Sequence, residues 1–200
     1  MSSSRFGAAR AAFAAVSVVS VMALSGCVAA DAPQSAAQPA PPAPPPPVAA
    51  AAPAFDFEAW IAANASCKGD YIADLQDAQF AQRLRAAGVG ISDDASVGEV
   101  GVGSGTLTPA RPVRLHGFAV RQVSYYFDSG AMFAVQVDAS AEQARAAIGA
   151  QALPAVYRDD YREGVPTAAA SEDVPMPDIQ FVRAGKQPGT QEIGCAAFDG

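Results

Sequence analysis

The sequence predicts a small single α+β domain over residues 55–200, with helices packed on an antiparallel sheet. Three observations support this. The segment has about 146 residues, enough for one hydrophobic core. Helical spacing of apolar residues is confined to a few stretches, and alternating segments lie between them. Two cysteines near its opposite ends can form one disulfide. The predicted order is α-α-β-β-α-β-β.

The first two helices are predicted from apolar residues three and four positions apart. Phe57, Trp60 and Ile61 indicate a short amphipathic helix that ends near residue 64. Asp70 is a typical N-cap for a second helix that runs to about residue 87, where Gly88 ends it. The apolar side chains expected to face the core from this second helix are Tyr71, Ile72, Leu75, Phe80 and Leu84.

The middle of the segment is predicted to form a β-hairpin. Residues 98–105 are rich in glycine, which indicates a flexible loop or a strand close to another backbone. Residues 113–127 then read as a strand, and Asp128-Ser129-Gly130 is a hairpin turn. The alternating apolar residues of the two strands are Val123, Tyr125, Phe127, Phe133, Val135 and Val137.

The last part begins with a capping box, Ser140-Ala141-Glu142-Gln143, which predicts a helix to about residue 151. Residues 156–157 are compatible with a short strand, and residues 164–178 contain three prolines and are expected to form a loop. Ile179, Phe181 and residues 191–198 indicate a closing hairpin around residues 186–189.

Cys67 and Cys195 are predicted to form a disulfide. No histidine cluster lies nearby that would favour a metal site, and an exported domain meets an oxidising compartment. Closing a loop of about 129 residues contributes at most roughly 5 kcal/mol on the chain-entropy treatment. Two free buried thiols are the alternative.

The N-terminus has the composition of an export signal. Arg5 and Arg10 are followed by an apolar run over residues 11–24, which is too short to span a bilayer. Leu24-Ser25-Gly26-Cys27 comes directly after this run and resembles the lipobox of bacterial lipoproteins. The resemblance covers residues 1–28 and implies diacylglyceryl transfer to the Cys27 thiol, cleavage before Cys27 and acylation of the new amine. A short transmembrane anchor with an incidental cysteine is the alternative.

The resemblance also implies a location in the cell envelope. Val28 stands where an aspartate retains enteric members of that family in the inner membrane. We therefore expect the periplasmic face of the outer membrane, if the host is Gram-negative. Two or more acyl chains anchor a protein stably, so the membrane is the expected partner of Cys27.

Residues 27–54 are predicted to be an extended tether. Residues 29–54 of this segment consist almost entirely of alanine and proline, with an unbroken run from Pro44 to Pro47. Such a composition cannot bury a core, and at about 3.1 Å per residue in polyproline II these residues span at most ~80 Å. A spacer is favoured over a proline ligand for a partner's groove.

Charge excludes some partners. The chain carries 13 Lys and Arg against 20 Asp and Glu, a formal charge of −7, and loss of Arg5 and Arg10 with the signal makes it more negative. This argues against nucleic acid as a partner. An envelope protein remains a possible partner.

The sequence contains no recognisable catalytic, metal-binding or nucleotide-binding motif, so we predict no catalytic residue, no metal site and no cofactor. His116 is the single histidine, which argues against a zinc site, and it is expected to be a surface or half-buried strand residue. Ser104 fails the nucleophile-elbow pattern, and the surrounding glycines fail the phosphate-loop and dinucleotide patterns. The acidic pairs at 93–94 and 159–160 read as solvated turns.

One group of residues is a candidate recognition patch. Tyr157, Arg158, Tyr161 and Arg162 alternate aromatic and basic side chains, which favour interfaces. The rim of the sheet is the plainer interpretation of the same residues.

These observations predict a lipid-anchored envelope lipoprotein with a non-enzymatic binding or structural domain. Two alternatives stay open at this point. One is an enzyme acting on envelope polymers, with His116 or a carboxylate as base. The other is a periplasmic inhibitor or ligand-binding module that uses its hairpins as a binding surface.

Overall fold

The computed structural model describes residues 54–157 and 160–198. Four α-helices lie in these ranges, namely Phe57–Ala65 (α1), Tyr71–Gln76 (α2), Phe80–Ala86 (α3) and Ala141–Ile148 (α4). The strands there are Val89–Ile91 (β1), Gly103–Pro109 (β2), Arg114–Leu115 (β3), Phe118–Phe127 (β4), Gly130–Asp138 (β5), Gln151–Ala152 (β6), Glu163–Pro166 (β7), Ile179–Ala184 (β8) and Thr190–Phe198 (β9). The predicted α+β class, with helices on an antiparallel sheet, is confirmed, and the order of elements matches roughly.

Side-chain caps fix the helix starts as the sequence predicts. Asp70 accepts a hydrogen bond from the backbone N–H of Ala73, and Ser140 forms the complete capping box with Gln143. Asp56, which the sequence analysis did not single out, caps α1 by accepting from the N–H of Ala59. These bonds satisfy donors that the first turn of a helix leaves free.

The predicted single helix over residues 70–87 is in fact two helices. Asp77 takes an extended backbone conformation and ends α2. Its carboxylate accepts from the N–H of Gln79 at 2.9 Å and pairs with Arg83, so its side chain organises the break and the start of α3. A short aspartate side chain competes with the helical backbone for hydrogen bonds, which explains the interruption.

The sheet runs in the order β1-β2-β4-β5-β9-β8-β7-β6, and β3 pairs with β4 outside this path. Every pairing is antiparallel, including those of β9 with β5 and with β8. The last strand in the sequence therefore lies in the middle of the sheet. Gly194 in this strand allows the close approach, because a Cβ there would meet the carbonyl oxygen of Phe133 at 2.0 Å.

The hairpins at residues 128–130 and 186–189 are confirmed. Other local predictions were wrong in detail. Residues 155–157 form a 3₁₀ turn and not a strand, and part of the expected loop over 164–178 belongs to β7. The glycine-rich stretch ends in β2, where Gly103 leaves room for the ring of Phe127, and Gly105 leaves room for the Tyr125 hydroxyl and for the close backbone of Ala95.

Two apolar clusters lie on opposite faces of the sheet. Phe133, Val135 and Val137 of β5 belong to the first cluster, and the intervening Ala134 and Met132 belong to the second. This follows from the two-residue period of a strand. The buried apolar residues of the four α-helices all belong to the first cluster. The second cluster contains Ile179 and Phe181 of β8. The segment 153–178 covers these strand residues with Leu153, Tyr157, Tyr161 and Met176.

Candidate functional site

The predicted lipidation site, Cys27, lies outside the described residues, as do the signal peptide and the tether up to residue 53. Lipidation therefore stays a prediction. None of the helices in residues 54–157 and 160–198 is long and apolar enough to cross a membrane.

The first described residues of the domain pack against the core. The ring of Phe55 contacts that of Phe80 at a centroid distance of 5.4 Å and that of Trp60 at 6.2 Å. The indole N–H of Trp60 in turn donates to Asp74 at 2.8 Å. The domain therefore begins, at Phe55, with a ring that packs on its aromatic residues.

The predicted disulfide between Cys67 and Cys195 is present, with a Cα–Cα distance of 5.2 Å. It joins the end of α1 to the central strand β9. Cys67 lies just after the C-cap of α1 with φ of 58°, a left-handed conformation in which glycine is the usual residue. Its N–H donates to the carbonyl oxygen of Asn64, which completes the helix end.

His116 lies in the tight turn between β3 and β4 and not in a strand. His116 and Gly117 both have positive φ, 52° and 85°, as a two-residue hairpin of the primed type requires. Arg114 Nη1 donates to the carbonyl oxygen of Gly117 at 2.6 Å and steadies the turn. The residue as a whole is largely exposed, as the plainer interpretation of it predicted.

An open depression of about 460 Å³ places His116 beside the start of α1. Asp56, Glu58 and Arg114 also line it. Both carboxylates already have structural partners, since Asp56 caps α1 and Glu58 Oε2 accepts from the N–H of Arg114 at 3.0 Å. Partial burial lowers the pKa of His116 below its ordinary value, which favours the neutral imidazole. His116 could therefore act as a base, whereas the carboxylates of Asp56 and Glu58 are engaged in structural hydrogen bonds.

The described members of the two acidic pairs are exposed side chains. Asp93 and Asp94 are exposed in a turn, as predicted. Asp159 lies outside the described residues, and Asp160 is exposed. Within residues 54–157 and 160–198, no group of three His, Cys, Asp or Glu side chains is placed to hold a metal ion.

The candidate patch of Tyr157, Arg158, Tyr161 and Arg162 does not present its two tyrosines at the surface. Tyr157 is 4% exposed and Tyr161 is 8% exposed, because both belong to the second apolar cluster. The hydroxyl of Tyr157 donates to the carbonyl oxygen of Pro177 at 2.8 Å. Arg162 is exposed, and Arg158 lies outside the described residues. The tyrosines hold the covering segment on the sheet, which corrects the prediction of a recognition role for them.

An ion pair that no sequence pattern indicated lies beneath this segment. Arg183 Nε donates to Glu192 Oε2 at 2.6 Å, and Glu192 is only 4% exposed. The guanidinium lies over the rings of Phe181 and Tyr161, at 5.0 and 5.6 Å from their centroids. The residues are at equal distances from the turn at 186–189, so the hairpin register was the signal that could have paired them.

The exposed apolar side chains are concentrated at two places among the described residues. Val100 and Val102, 88% and 68% exposed, precede β2, and Tyr126 lies on the neighbouring strand β4. Val156 and Val174 are exposed on the segment that covers the second cluster. Large apolar side chains in water are a typical feature of binding surfaces.

Comparisons with protein families, with curated proteins and with solved structures found no match.

Proposed function

We propose that the chain is a lipid-anchored envelope lipoprotein whose domain binds or supports another envelope component without catalysing a reaction. Cys27 carries the lipid, and in a Gram-negative host the domain faces the periplasm from the outer membrane. The Ala/Pro tether holds it off the bilayer.

The disulfide is the observation that carries the proposal. A bond between Cys67 and Cys195 fits a compartment where thiols are oxidised, which is where a lipoprotein domain is exported. The packing of Phe55 on Phe80 also supports a domain held from its N-terminal side. The exposed Val100 and Val102 support a binding role, since they precede β2, which pairs with the strand that carries the exposed Tyr126.

The anchor is tested by Cys27→Ser. We expect the variant to lose lipid labelling and to move from the membrane fraction to the soluble fraction, as should the unaltered chain in cells treated with a lipoprotein signal peptidase inhibitor. Membrane attachment that persists in Cys27→Ser would refute lipidation.

The binding role is tested with a photo-reactive amino acid placed in living cells at position 100, 102 or 126. One discrete crosslinked protein from these positions supports a binding partner. Matched positions are 156 and 174, where valines are also exposed but belong to another part of the surface. Crosslinks of equal yield from both sets of positions contradict a specific surface at Val100.

An enzyme acting on envelope polymers is a second candidate, because His116 shares its depression with Asp56 and Glu58. The purified chain would then release soluble fragments from isolated cell-wall polymer, and His116→Ala would abolish the release. Absence of release by the unaltered chain counts against this candidate.

A further inference from the structure

We propose that the Cys67–Cys195 disulfide is a thiol-exchange site that a small thiol or a dithiol protein attacks at the Cys67 sulfur while the domain is folded. The proposal goes beyond the anchored binding role and does not depend on it. It rests on the cavities on both sides of the bond and on the charges that line them.

The bond is half-buried and lies between two cavities. One, of about 340 Å³, is lined by Ser66, Cys67 and Lys68 together with Val165, Pro166, Thr167 and Gln180. The other, of about 130 Å³, touches both cysteines. The larger cavity reaches Cys67 and not Cys195. An attacker entering there meets the Cys67 sulfur first, and Cys195 becomes the leaving group.

The charges of the two cavities differ in sign. Lys68 is the charged residue that lines the larger cavity, whereas Asp70 and Asp178 line the smaller one. The attacking species in thiol–disulfide exchange is a thiolate anion. An ammonium group attracts this anion and two carboxylates repel it, so the larger cavity is the favoured route.

The position of Cys67 keeps its sulfur near this cavity. Its Sγ lies 3.3 Å from the carbonyl oxygen of Ile179, the residue before the cavity-lining Gln180. The left-handed backbone at Cys67 turns the chain sharply after α1. The residue is therefore held at the surface between α1 and β8 by the end of the helix.

The chemistry is a simple exchange. A thiolate attacks Cys67 Sγ and forms a mixed disulfide with it, while the bond to Cys195 breaks and its electron pair stays on the Cys195 sulfur. The resulting Cys195 thiolate takes a proton from water. The incoming thiol is the reductant, and a second thiol that attacks the mixed disulfide releases Cys67.

The test uses the oxidised chain as it is isolated from cells in detergent, with glutathione as the probe. Free thiols are trapped by alkylation and the modified peptides are mapped by mass spectrometry. We expect the glutathione adduct on Cys67 and the alkylated thiol on Cys195. Lys68→Glu should slow the reaction by about tenfold, because it replaces attraction of the thiolate by repulsion.

Two controls separate exchange in the folded domain from exchange after unfolding. Lys186→Glu makes the same charge change in the exposed turn between β8 and β9, and its rate should stay within about twofold of the unaltered chain. Low urea should leave the rate unchanged, whereas a reaction that needs global unfolding speeds up by more than about tenfold per molar. An adduct on Cys195, a steep urea dependence, or equal rates for Lys68→Glu and Lys186→Glu would overturn the proposal.

Discussion

Removal of the disulfide should be the most destabilising change that leaves the core untouched. The two cysteines are 128 positions apart in the sequence. On the chain-entropy treatment, a crosslink of this span disfavours the unfolded chain by about 5 kcal/mol. The double variant Cys67→Ser/Cys195→Ser should therefore lose up to this amount from the free energy of unfolding.

The backbone at Cys67 gives a second, separable contribution. Serine at position 67 must keep the left-handed φ of 58°, whereas glycine adopts it without penalty. The variant Cys67→Gly/Cys195→Ser lacks the same crosslink but should be about 1 kcal/mol more stable than the double serine variant. The difference measures the cost of the left-handed conformation alone.

The assay is urea unfolding of the chain without signal and lipid, followed by fluorescence of its single tryptophan. Trp60 is buried beside Phe133, with ring centroids 5.2 Å apart, so its emission reports the core. With a slope of about 2 kcal/mol per molar, a loss of about 5 kcal/mol lowers the urea midpoint by roughly 2–3 M. A double serine variant within about 1 kcal/mol of the oxidised chain would refute the reasoning.

Three further predictions concern the sheet. Gly194→Ala should lower the free energy of unfolding by about 3 kcal/mol or more, because its Cβ would overlap a carbonyl oxygen. In Gly90→Ala the nearest atom to the new Cβ is 3.5 Å away, so the free energy of unfolding should fall by less than about 1 kcal/mol. Arg183→Met should cost about 2 kcal/mol, because it leaves the Glu192 carboxylate buried without its partner, and urea unfolding measures both effects. Burial, with a smaller effect of a nearby carboxylate, raises the pKa of Tyr125 from 10.0 to about 12, so its contribution to stability is present below pH 10 and is lost as the pH rises from 10 to 12.

Each of these predictions has a matched control. Arg121→Met breaks the exposed pair with Asp138, so it should change the midpoint little. Equal losses for Arg121→Met and Arg183→Met would contradict a special role of burial. Tyr125→Phe should reduce the fall in stability between pH 10 and 12, and an unchanged fall would show that this hydroxyl does not titrate there. Near-equal stabilities for the two glycine variants would contradict the close approach of β9 to β5.

Features set by neighbouring residues were predictable from the sequence. The Ser140 capping box and the turns at 128–130 and 186–189 depend on contacts within a few positions, and the structure has them. The disulfide followed from counting, because only two cysteines remain after Cys27. The alternation of Val123 and Tyr125 also identified the buried face of β4.

Features set by distant contacts were not predictable in this way. Asp77 interrupts a helix whose apolar spacing continues through it, because its side chain binds both Gln79 and Arg83. Tyr157 and Tyr161 alternate with arginines as a surface patch would, and only the packing on β8 shows that they are buried. The groups around His116 come from α1 and from the β3–β4 turn, more than 50 positions apart, so no local pattern brings them together.

The place of β9 has a consequence for the order in which the domain can fold. A chain is synthesised from its N-terminus, and β5 and β8 have no common neighbour until residues 190–198 have emerged. Until then the sheet exists as two separate pieces, and Cys67 has no partner, because Cys195 belongs to the same late strand. The topology thus delays both closure of the sheet and formation of the disulfide until the residues of β9 are available to pair.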